Sequence, residues 1–127
     1  MKLLKNANVY TPAPLGKQDV LIEGEKVLRI AEEIRGYEGL PDVEVYDLAG
    51  KTLVPAYIDL HVHITGGGGE QGPASRVPES SLSTFFKNGI TTVVGLLGTD
   101  GITRSLENLV AKARALIEEG MTVYTLT

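Results

Sequence analysis

The sequence has no cysteine, only two histidines, and 12 basic residues against 16 acidic ones. Each scarcity excludes something. Without cysteine there is no disulfide, no thiolate metal site, no iron–sulfur cluster and no cysteine nucleophile. A metal must then be held by imidazole, carboxylate or a modified side chain. A formal net charge of -4 gives no basic face for nucleic acid. No run approaches the ~20 apolar residues of a membrane span, so no membrane partner is expected. Lys5 and Asn6 interrupt Leu3-Leu4 before a signal-peptide core can form, which leads us to expect a cytoplasmic protein. What is present is 127 residues, 43% of them hydrophobic. That is one ordinary domain's worth of chain, with enough apolar surface for a packed core.

Residues 1–51 read as a small β module. Leu3 to Tyr10 is a mixed apolar and polar run, and Thr11 to Gly16 is a loop broken by Pro12 and Pro14. Asp19–Ile22 and Val27–Ile30 flank a Gly-containing turn, a hairpin signal. Residues 31–38 fit either a continued strand or a short helical turn. Val43 to Leu48 alternates with period two, and Ala49-Gly50-Lys51 is a turn.

Residues 52–127 follow another rhythm. Ile58 to Ile64 reads as a buried strand and Pro78 to Asn88 as a helix. Ile90 to Leu97 is a strand of the kind covered on both faces. Ser105 caps a helix with Leu106, Leu109, Val110, Ala113, Leu116 and Ile117 at helical spacing, and Gly120 ends it. Met121 to Leu126 starts a third strand. Strand–helix–strand–helix–strand implies parallel strands with helical crossovers. Three such strands are well short of the ~250 residues of a closed eight-stranded barrel. The chain therefore reads as the front part of a longer protein, with Thr127 not its true end.

Both histidines fall in His61-Val62-His63. Side chains two apart on a strand share a face. The pair is either two hydrogen-bonded core or rim histidines, or half of a metal site. Gly66 to Gly69 lack the Gly-Lys-Ser/Thr ending of a phosphate loop. They serve either as a flexible turn or as backbone that a ligand can approach. Glu70, at the end of that loop, is either solvated or holds an ammonium group. Thr99 and Asp100 follow the second strand, on the face predicted for His61; either could point into a site, and spacing alone favours ordinary loop or cap residues. Asp59 is either functional, as a partner of the histidines or a ligand itself, or part of a structural hydrogen bond. Arg76, a lone cation near the glycines, has no assigned role.

These residues resemble a known pattern. Pro55-Ala56-Tyr57-Ile58-Asp59-Leu60-His61-Val62-His63 resembles the entry strand of the amidohydrolase superfamily. The continuation through Gly66–Glu70, Gly72-Pro73 and Arg76-Val77-Pro78-Glu79 resembles the isoaspartyl dipeptidase family. So do Gly89–Asp100 and the helix Leu109–Gly120. The resemblance is close over 52–127 and looser before it. It implies an α/β fold: the start of a metal-dependent (β/α)8 TIM barrel over residues 52–127, preceded by an incomplete β-sandwich module over residues 1–51. It implies hydrolysis of β-aspartyl dipeptides by a hydroxide that two zinc ions activate. His61 and His63 would ligate one metal. Gly68, Gly69, Glu70 and Thr99 would contact substrate, with Glu70 reaching its α-amino group. The catalytic aspartate, the bridging carboxylated lysine and the other histidines would lie beyond Thr127, and the full-length family member would be a homo-oligomer. Ala56 and Tyr57 stand where the family has glycine and phenylalanine, a matter of local packing. The rival readings are another amidohydrolase, such as a cyclic amidase or deaminase, and a non-catalytic fragment or pseudoenzyme.

Overall fold

A computed structural model describes residues 1–127. Backbone pairing divides them into Met1–Pro55 and Ala56–Thr127. The division falls after Pro55 rather than after Lys51 because Thr52 and Leu53 pair with the first strand. No helix is long and apolar enough to cross a membrane.

In the first unit, β1 (Lys2–Tyr10) lies between β2 (Pro14–Glu23) on one side and β4 (Glu44–Asp47) and β5 (Thr52–Leu53) on the other; β3 (Lys26–Ala31) extends the sheet beyond β2. The expected hairpin is β2–β3, closed through Gly24 at φ +54°. Here β2 is longer than its apolar run, because the loop before it spans only Thr11–Ala13 and Pro14 already pairs with Tyr10. β1 bulges between Leu4 and Ala7. The buried Asp19 accounts for the bulge: its carboxylate accepts from Asn6 N at 2.9 Å and from Ile34 N at 3.0 Å. Residues 32–43 take neither of the regular forms considered for 31–38. They lay Ile34 over Leu3 and Leu21 on one face. Ala7, Val9 and Val20 form a separate cluster. The unit is thus one mixed sheet, not the two facing sheets of a sandwich.

The second unit is a parallel sheet in the order β6 (Tyr57–Val62), β7 (Ile90–Gly95), β8 (Thr122–Thr125). The crossovers carry α1 (Leu82–Lys87) and α2 (Leu106–Glu118), in the order the sequence predicts. Phe85, Leu109, Ala113 and Leu116 from the helices meet Ile64, Val93, Met121 and Val123. Burying each leucine fully contributes about 2 kcal/mol, which fixes α2 against the sheet. Ser105 Oγ caps that helix by accepting from Asn108 N at 3.3 Å. α1 is shorter than the predicted 78–88. Val77 N donates to Gly67 O and Ser80 N to Ile64 O, so 77–80 are held against the preceding loop and cannot wind. β7 is also covered less than expected. Val93 and Gly95 are buried, while Val94, pointing the other way, is half-buried.

Candidate functional site

β6 ends at Val62, and its register with β7 shifts between Asp59 and Val62. The two imidazoles emerge there with ring centroids 5.2 Å apart, edge to face, so the structure brings together the pair the sequence placed on one face. His61 is exposed and His63 half-buried. His63 Nδ1 lies 3.3 Å from Leu96 O. A carbonyl can only accept, so the bond puts the proton on Nδ1 and leaves Nε2 as the electron-pair donor. A Cβ at Gly67 would lie 3.3 Å from His63 Cδ2, and one at Gly98 would lie 3.5 Å from Nδ1. The ring thus sits between two glycine backbones that fix its plane. Asp59 Oδ1 accepts from the backbone N of His61 at 3.1 Å, the structural hydrogen bond of the two alternatives.

The glycine loop turns back on the segment that follows it. A Cβ at Gly66 would lie 2.3 Å from Val77 O, and one at Gly68 would lie 2.3 Å from Ser75 O. Both positions have positive φ, so glycine is required twice over. Ser75 Oγ accepts from Gly69 N at 3.2 Å and Gln71 N at 3.3 Å, and donates to Gly72 O at 2.8 Å. Gly69 O accepts from Gly72 N. Both polar groups of Gly69 are therefore engaged, and it offers a ligand bare surface. The N–H and C=O of Gly68 have no partner in the chain.

Glu70 and Thr99 meet: Thr99 Oγ1 donates to Glu70 Oε1 at 2.8 Å. Glu70's own N–H, then the Thr99 hydroxyl, then the nearby His63 ring hold its carboxyl below the usual range. It is an anion at neutral pH. Asp100 turns inward on its own loop. Its carboxylate accepts from the Thr103 hydroxyl, from Thr103 N at 2.9 Å and from Ile102 N at 3.2 Å. These donors, with a smaller contribution from Arg76, lower it to about 2. Asp100 thus closes its own loop and also forms part of a cavity wall, so it serves both of the roles read in the sequence. Arg76 acquires a partner, Asp100, at 3.1 Å. Glu70, Arg76, Thr99, Asp100 and Ile102 line a cavity of about 350 Å³. Two imidazoles suit zinc, but they are half of a tetrahedral set. No group of three or more His, Asp or Glu side chains gathers in this chain.

Two contributors went unread in the sequence, Ser75 and Arg104. Arg104 is buried, and its guanidinium donates to Gly67 O at 3.0 Å and Val77 O at 2.8 Å. One signal was available. Arg104 directly precedes the cap of α2, where the helix dipole disfavours a cation.

No family model matches the chain. Its backbone is similar to two crystal structures of beta-aspartyl dipeptidase from Fervidobacterium islandicum AW-1, the second in complex with a beta-Asp-Leu dipeptide. TM-scores are 0.90 and 0.89 and identities 50% and 49%, over 99% of this chain but only 34% and 32% of theirs. The resemblance read at His61–Glu70 and Gly89–Asp100 thus extends over nearly the whole backbone, and the chain matches the amino-terminal portion of those proteins. Among curated proteins, the dihydroorotase of Staphylococcus aureus strain Mu50 is 31% identical over 126 residues, which is 99% of this chain and 28% of that protein. The chain spans about a third of the length of the relatives it matches.

Proposed function

We propose that the chain is the amino-terminal part of a zinc-dependent hydrolase that cleaves β-aspartyl dipeptides. The observation that carries this is the Glu70–Thr99 hydrogen bond beside the His61–His63 pair. Glu70 bonds Thr99 and feels the charge of His63 where β6 and β7 end, and His61 is exposed beside His63; the cavity itself is lined by Glu70 and Thr99 and by neither histidine. The 50% identity to a beta-aspartyl dipeptidase supports the same reading. His61 and His63 would hold one of two zinc ions, with His63 binding through Nε2. When bound, the ions supply Lewis acidity and lower the pKa of the attacking water.

The chain's own residues do the rest of what can be derived. Glu70 faces a dipeptide's α-ammonium as a charge-assisted acceptor. Thr99 fixes the rotamer of Glu70. Gly68 presents its free N–H and C=O, while Gly69 leaves room for the ligand. The fragment alone is inactive on this reading, because the remaining ligands and the proton-shuttling aspartate belong to chain beyond Thr127. The cytoplasmic location and homo-oligomeric state expected above belong to this proposal too. Closure of β6–β8 into an eight-stranded barrel belongs with them.

The test is Glu70→Gln in the complete protein. Hydrolysis of β-aspartyl-leucine is expected to fall by about 100-fold or more, since a charge-assisted contact to the reacting substrate is lost. A zinc-loaded complete protein that leaves β-aspartyl-leucine uncut would overturn the substrate assignment.

A second reading is a cyclic-amide hydrolase, favoured by the 31% identity to a dihydroorotase. It keeps His61 and His63 and gives Glu70 and Thr99 no role in binding. Under it, Glu70→Gln leaves turnover of a cyclic amide such as dihydroorotate intact.

A further inference from the structure

Arg104 is 5% exposed, forms no salt bridge, and donates to two carbonyls on different stretches of chain. A buried cation is costly unless its protons are placed on good acceptors. This one sits just ahead of α2, the wrong end of the dipole, so the helix gains nothing from it. Its two acceptors belong instead to the glycine loop: Gly67 O at its apex and Val77 O on the returning segment. Val77 N also donates to Gly67 O at 2.9 Å, so guanidinium, Gly67 and Val77 close a three-membered clasp. A Cβ at Gly66 would lie 2.8 Å from Arg104 Nη2. Gly66 and Arg104 are therefore fitted to each other.

We infer that Arg104 is a positioning residue that sets the glycine loop for the reaction proposed above. Gly67 packs on the His63 ring, and Glu70, three residues on, reaches Thr99. The clasp thus governs one metal ligand and the substrate-facing carboxylate together. Of the other ties between the two loops, Thr99–Glu70 fixes a side chain, His63 Nδ1–Leu96 O fixes a ring, and Arg76–Asp100 is a partly exposed ion pair, a weak restraint; none of the three bonds to the backbone of the glycine loop. Arg104 places two separate nitrogens of one rigid plane on the two carbonyls. The single ammonium of a lysine lacks that geometry.

The catalytic consequence rests on the dipeptidase reading; the geometric one does not, and the test separates them. In the first arm, backbone amide shifts and hydrogen exchange of Gly66–Glu70 are compared between the chain and Arg104→Lys. Displaced shifts and faster exchange in the loop, with α2 and the sheet unchanged, are expected. In the second arm, the complete protein carries Arg104→Lys or Arg104→Ala and is assayed on β-aspartyl-leucine. kcat/KM is expected to fall about 100-fold, the scale of an ångström-level misplacement, mainly through KM. Guanidinium ion at low millimolar concentration should restore part of it to Arg104→Ala and none to wild type. A structural plug would lower the melting temperature and leave kcat and KM of the folded fraction unchanged, with no rescue; that result overturns the inference. So do unmoved loop amides in Arg104→Lys. A complete wild-type protein that cleaves no β-aspartyl dipeptide defeats the function, while the first arm still decides the positioning.

Discussion

At the scale of single residues, the Thr99 hydroxyl does two things to Glu70. It fixes the carboxylate's position and stabilises its charged form. Thr99→Val removes a donor that favours the anion, so the pKa of Glu70 should rise toward its ordinary value of 4.5. A carboxyl ¹³C titration reads this directly, and an unmoved midpoint would show that the hydroxyl is not the partner. The meeting of His61 and His63 is legible in the sequence because residues two apart on a strand share a face; the Glu70–Thr99 bond is not, because it joins loops 29 residues apart. Arg104 and Ser75 are not legible either, because each bonds chiefly to backbone atoms, which every residue carries and no sequence pattern marks. Asp100 had two readings in the sequence. Its bonds to Ile102 and Thr103 serve the loop, and its place in the cavity wall serves the other reading.

At the scale of elements, the loop between β6 and α1 is where sequence and structure part. The order of strands and helices in the second unit follows from apolar periodicity and is present as expected. The length of α1 does not follow, because Val77 and Ser80 are held by Gly67 and Ile64, contacts that local propensity cannot see. The same loop separates two glycine substitutions. Gly68 and Gly72 both have positive φ, but a Cβ at Gly68 meets Ser75 O at 2.3 Å and one at Gly72 meets nothing within 4 Å. Gly72→Ala should cost only the backbone conformation, which at φ 96° and ψ 175° is one that glycine alone readily adopts, about 1–3 kcal/mol. Gly68→Ala should cost that and also displace the turn at Pro73–Ser75. Chemical denaturation of both variants measures the gap, and equal losses would contradict the packing described.

At the scale of the whole molecule, the composition suggests one domain and the backbone forms two units, the second with large apolar side chains left open to solvent. Ile58 and Leu60 on β6, Tyr124 on β8 and Leu126 just after it are all more than 60% exposed. The sequence marked such residues as buried types, but nothing in it could say which of them this stretch of chain leaves uncovered. The same openness applies to the metal. With two imidazoles and no third ligand gathered, the chain should bind zinc far more weakly than the ~10 kcal/mol of a complete structural site. His63→Ala should abolish that binding in isothermal titration. Tight uptake of two ions per chain would contradict it.

The position of β1 has a consequence for the order in which the first unit assembles. β1 reaches β2 through a three-residue loop, whereas β4 and β5 pair with it in parallel across most of the unit's length. Closing a longer loop costs more entropy before any contact repays it. β1, β2 and β3 should therefore zip up as a meander first, and β4 should dock late onto an edge already made. In pulse-labelled hydrogen exchange during refolding, amides shared by β1 and β2 should gain protection before those of Tyr46 and Asp47. Simultaneous protection would mean that the sheet condenses in a single step.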